Sequence, residues 1–161
     1  MVFLPSNRID VYPNFDTYLQ YFVQVVDEPR IWEAFLSWSC LDESTAIKCV
    51  SYATWPMIAI PPPEKFQTAG VHGYGHFEAS KPDQIGIEKL EKLRTIESST
   101  ASSASVYRAE KYLQKLILHE LVHWGRYWAM ESDDYVDKDT LTDTGDAFEI
   151  DAYDDPDNPH L

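Results

Sequence analysis

His119-Glu120-Leu121-Val122-His123 combines the residue types that a hydrolytic metal centre needs, at the spacing it needs them. Two histidines at i and i+4 lie on one face of a helix, one turn apart, so both imidazoles can reach one ion. The glutamate between them is left beside that ion, where it can act as general base toward a water on the metal. The pattern points to a zinc hydrolase, most directly a metallopeptidase. A catalytic zinc takes three protein ligands and keeps one position open. Glu149 is the first choice for the third: it follows Gly145 on a segment with helical spacing, far enough past His123 for a second helix to pack beside the first. Asp146 and Asp151 are the alternatives, and Asp143 a less helically placed one. Tyr153, one turn past Glu149, is the candidate second donor to the developing oxyanion, in competition with Tyr135, His72 and His76.

The motif requires a helix, and residues 106–130 supply one. Leu113, Leu116, Ile117, Leu121 and Val122 give this stretch an apolar surface, which predicts a central, buried element able to hold a site rigidly. The polar run 98–105 (SSTASSAS) precedes it and offers serines as N-caps. Gly125, just past the motif, stands where a glycine ends or bends a helix. Upstream, the apolar spacing in 14–41 predicts two amphipathic helices broken near Glu28-Pro29, with Pro29 in the first turn of the second. Residues 46–60 read as a helix followed by a short extended piece, which Pro61-Pro62-Pro63 terminates. Ile85-Gly86-Ile87 reads as a short strand and 88–96 as a short helix. The segment 145–153 has room for two helical turns, and 154–161 reads as a frayed polar tail.

Composition narrows the function classes. With 27 acidic against 13 basic residues the net charge is −14, which argues against nucleic-acid binding, since phosphate contacts need clustered Lys and Arg. No segment approaches the roughly 18 apolar residues of a membrane span, and residues 1–13 lack a signal-peptide layout. Cys40 and Cys49 are two free thiols or one short-loop disulfide; they show no zinc-ligand spacing. His72 and His76 fall among glycines and read as loop or groove residues rather than a second metal site. The acidic stretch 131–157 reads as solvated surface; Asp137, Asp139 and Asp143 miss the calcium-loop pattern with its central glycine. Arg126 is expected to pair with nearby acids.

The run 118–126 (LHELVHWGR), the later Gly145-x-x-Phe148-Glu149 and the pair Ala152-Tyr153 together resemble the metallopeptidase toxin domains of bacterial polymorphic toxins and type VI secretion effectors. Those are compact zincins whose metal is held by the two histidines and a downstream acidic residue. The resemblance covers about residues 70–153. Where such domains tend to have Gly after the terminal Tyr, this chain has Asp154. The resemblance implies a secreted antibacterial effector, delivered without a cleavable signal peptide into the periplasm or cytoplasm of a target cell and neutralised by a cognate immunity protein in the producer. Zincins present an edge strand beside the metal, to which an extended substrate adds; residues 70–87 are the expected source, their glycines permitting close backbone approach.

The expected architecture is one α+β zincin-like domain over 1–161, mostly helical with a small sheet beside the active-site helix. About 1–65 would form an N-terminal helical part and about 70–153 the catalytic core. The expected activity is Zn2+-dependent endopeptidase cleavage of a protein or peptide, with Glu120 and Tyr153 catalytic, His119, His123 and Glu149 on the metal, no nucleic-acid partner and no membrane insertion. A zinc amidase acting on cell-wall peptides, or a non-catalytic acidic binding module, are the rivals.

Overall fold

In a computed structural model, which describes residues 3–60, 75–131 and 143–153, the chain opens with five helices. These are α1 (Ser6–Ile9), α2 (Pro13–Gln20), α3 (Phe22–Val25), α4 (Pro29–Ser39) and α5 (Glu43–Val50). Pro13 and Pro29 sit in the first turns of α2 and α4, where a missing N–H leaves no intrahelical bond unmade. Asp42 starts α5 by accepting a hydrogen bond from the Thr45 N–H at 3.0 Å. The first of the two expected helices is split: α2 stops at Tyr21 and α3 begins immediately after. The apolar spacing runs unbroken across this point, so local pattern alone could not reveal the break.

Three short strands follow: β1 (Met57–Ala59), β2 (Gly75–Phe77) and β3 (Gln84–Ile87), in the order β1-β3-β2. β1 runs parallel to β3, with Ile58 opposite Ile85, and β2 antiparallel, with His76 opposite Gly86. The central strand covers the expected strand at 85–87. α6 (Leu90–Glu97) buries Leu93 and Ile96, and α7 (Ser103–Trp128) carries the HExxH motif; α8 (Thr144–Tyr153) closes the described chain. Ser102 caps α7 through the Ser105 N–H at 3.2 Å, as the serine run predicted.

The fold is α+β and mostly helical, with α7 packed against α4, α6, α8 and the strands β2 and β3. One buried cluster joins Phe15, Leu19, Phe22 and Phe35 of the N-terminal helices to Leu113, Ile117 and Leu121 of α7 and Phe148 of α8. Phe35 and Phe148 meet edge-on at 6.3 Å. Burying such side chains contributes about 1.5–3 kcal/mol each. α6 is also tied to the N-terminal part by charge: the Glu97 carboxylate accepts the Asn14 and Phe15 N–H groups at 3.2 and 2.8 Å, at the positive end of α2.

Gly125 does not end α7, which continues to Trp128. A Cβ there would come within 2.6 Å of the Ser39 carbonyl oxygen, so the residue serves the close crossing of α7 and α4. Both cysteines are free, Cys40 exposed and Cys49 buried. Arg126 donates to the Trp38 carbonyl at 3.3 Å and contacts Cys40 Sγ at 3.2 Å. Pro61-Pro62-Pro63, His72, Tyr135, Asp137, Asp139 and the tail 154–161 lie outside the described residues.

Candidate metal centre

Lys115, His119 and His123 form one stripe along α7 at i, i+4 and i+8, facing α8 and the residue that caps it. Imidazole Nε2 atoms of His119 and His123 lie 3.2 Å apart. The Asp143 carboxylate stands over both, with Oδ2 3.5 Å from His123 Nε2 and Oδ1 3.9 Å from His119 Nε2. These three donors all lie within 4.8 Å of one another. Donors bound tetrahedrally at about 2.1 Å stand roughly 3.4 Å apart, so the set fits one ion.

Asp143 is placed by helix chemistry. It is the residue before α8, and its Oδ1 accepts the Asp146 N–H at 2.8 Å, the capping bond that starts the helix. Gly145 then brings the first turn onto His119: a Cβ there would lie 2.4 Å from its Nε2. The Nδ1 faces of the two rings are also met from α8. Thr144 Oγ1 is 3.4 Å from His123 Nδ1, and Glu149 Oε1 is 2.9 Å from His119 Nδ1. Glu149 therefore reaches the opposite edge of His119 from the one His123 shares. With Asp146, whose Oδ1 is 3.9 Å from His119 Nδ1, it makes a second group of possible ligands around the same ring. The second oxygen of Glu149 meets Lys115 Nζ at 2.8 Å.

Glu120 is buried between α7 and β2, where a Cβ on Gly75 would come within 2.6 Å of its Oε1. Burial, only partly opposed by the two histidines, pushes its carboxyl up to about 7, the range that suits a general base near neutral pH. Burial disfavours charge on His119, but the hydrogen bond to Glu149 and the neighbouring carboxylates outweigh it and raise its pKa. Burial works against the Asp143 carboxylate too; its hydrogen bond with His123 and the two imidazoles prevail and hold it well below the usual carboxylate range.

Tyr153 packs edge-on against Phe148 at 6.1 Å, and its buried hydroxyl has no hydrogen-bond partner among the described residues. Burial, then the Glu149 charge, raises its pKa. None of its described contacts joins it to His123 or Asp143. Asp151 faces α4, accepting from Trp38 Nε1 at 2.7 Å and, through its carbonyl, from Arg30. His76, on β2, contacts Glu78 and Glu88 at 3.4 and 3.3 Å and stands in neither metal group among the described residues. Lys115 and Thr144 were not anticipated. The signal for Lys115 was present: a cation inside the apolar run 113–118, one turn before His119.

A family model described as Metallopeptidase toxin 3 matches residues 8–154. No curated protein and no solved structure matches the chain.

Proposed function

The chain belongs to the metallopeptidase toxin 3 family, and we propose that it is a zinc-dependent endopeptidase delivered into target bacteria as an antibacterial toxin. The metallopeptidase class comes with the family. One observation carries it: two imidazole Nε2 atoms and a carboxylate converge within 4.8 Å, with a buried glutamate beside them. His119, His123 and Asp143 would hold the ion, Asp143 rather than Glu149, Asp146 or Asp151 because it faces both Nε2 atoms. Zinc there would supply a Lewis acid that lowers the pKa of a water and polarises the scissile carbonyl.

Glu120 takes the proton from the attacking water and passes it to the leaving amine. Its burial favours this, since a carboxyl near neutrality is ionised often enough to accept a proton and basic enough to hold it. β2 is an edge strand of the sheet, and Gly75 lies against Glu120, so a substrate added alongside β2 would run past the base. Among the described residues no helix is long and apolar enough to cross a membrane. A protein substrate follows from the peptidase class; a cognate immunity protein follows from the toxin setting.

The test pairs metal analysis with activity. Purified chain should hold one zinc and cut an unfolded protein substrate, and Glu120→Gln should keep the zinc and lose the cutting. Expression directed to the cytoplasm and to the periplasm of a bacterium should be toxic in one compartment for the wild type and in neither for the variant. Cleavage of cell-wall peptides but not of proteins would replace the endopeptidase reading with an amidase. Absence of stoichiometric metal would remove both.

A further inference from the structure

Lys115 is a cation on the buried stripe of α7, its side chain only 11% exposed and that of its partner Glu149 5%. An isolated ammonium or carboxylate in such a place costs several kcal/mol, and pairing the two offsets much of it. The pair is also aimed. Glu149 Oε2 meets the Lys115 ammonium and its Oε1 meets His119 Nδ1, so a continuous chain runs from Lys115 through Glu149 to the imidazole and ends at the Nε2 facing His123 and Asp143.

We propose that Lys115 and Glu149 form a charge-neutral outer pair that orients His119 toward the metal, so that both are positioning residues and neither is a ligand. The proposal rests on the metal lying between His119, His123 and Asp143. A neutral imidazole donates from one nitrogen and accepts at the other. Once Nδ1–H donates to Glu149, the Nε2 lone pair is left for the ion, and the carboxylate makes that nitrogen a stronger donor. Lys115 supplies the positive charge that Glu149 and Asp146 would otherwise take from a metal ion on the Nδ1 side of the ring.

The full chain loaded with zinc, and with cobalt(II) in its place, tests this. Long-range 15N–1H correlation on the zinc-loaded wild type should show His119 protonated at Nδ1 and metal-bound at Nε2; metal on Nδ1 overturns the proposal without any variant. Chelator competition should show affinity about 10- to 100-fold weaker in Glu149→Gln and in Lys115→Met. The double variant should be no weaker than Glu149→Gln alone, because Lys115 acts through Glu149; losses that multiply would mean two independent structural effects and overturn it. The visible cobalt spectrum should be unchanged in Glu149→Gln and altered in Asp143→Asn. A spectrum altered by Glu149→Gln and untouched by Asp143→Asn makes Glu149 the ligand. If His119→Ala leaves metal binding intact, the metal-site reading itself falls, a result separable from all of these.

Discussion

Two stripes run along α7, about 200° apart around its axis, and they are built from opposite chemistries. Leu113, Ile117 and Leu121 are fully buried in the common core. Lys115, His119 and His123 follow the same i, i+4, i+8 spacing two residues on and meet Glu149, Asp143 and Thr144 instead. The first stripe gains stability from every atom it buries. The second places a lysine, two imidazoles and carboxylates out of water, which destabilises the fold unless each is partnered. One rigid helix thus supports a site whose own contribution to stability is small or negative, and the apolar stripe opposite makes that tolerable.

The sharpest test of the contrast is Glu120→Gln. If Glu120 is the general base, as proposed, the change should lower peptidase turnover by about a hundred- to ten-thousand-fold, measured as kcat on a protein substrate, with the metal retained. The converse change is Ile117→Ala on the apolar stripe. It should cost about 2–5 kcal/mol in chemical denaturation while leaving one metal per folded chain; a loss of metal with stability intact would erase the distinction between the stripes.

Acidity separates them next. In the metal-free protein burial raises Glu120 to about 7, above its unfolded value, so the folded state favours the neutral acid. That stability is fully present below about pH 4.5 and is lost as pH rises through about 7, up to about 3 kcal/mol in all. Metal-free Glu120→Gln should therefore be the more stable protein at pH 8 and nearly equal at pH 5, by denaturant midpoint. The smallest effect is metal linkage. Free zinc at a hundred times its dissociation constant should stabilise the chain by about 2.7 kcal/mol, and the gain should vanish in Asp143→Asn. A zinc effect persisting in that variant would place the ion elsewhere.

What sequence could reveal divides along the same line. The HExxH motif, the long buried helix, its serine cap, Pro29 in the first turn of α4 and the strand at 85–87 are all local signals, and local physics produced them. The parallel pairing of β1 with β3 joins residues 57–59 to 84–86 and has no local signature. Glu149 was legible as an acid near the site but not as a partner of Nδ1, because that depends on how α8 docks. Asp143 precedes the helix, so helical spacing gives it no signal. Yet a capping residue's side chain turns back over the first turn, which is how it reaches the histidines. Gly125 shows the limit from the other side: the same residue type ends helices and permits close crossings, and only the neighbouring Ser39 carbonyl decides which.

Gly145 has an evolutionary consequence. It stands in the first turn of α8, directly after Thr144. Every amino-acid replacement of it adds a carbon atom at a point that the His119 ring already occupies. A lineage can acquire substitutions across the exposed face of α2 at little cost, but at residue 145 any replacement must first displace the His119 ring.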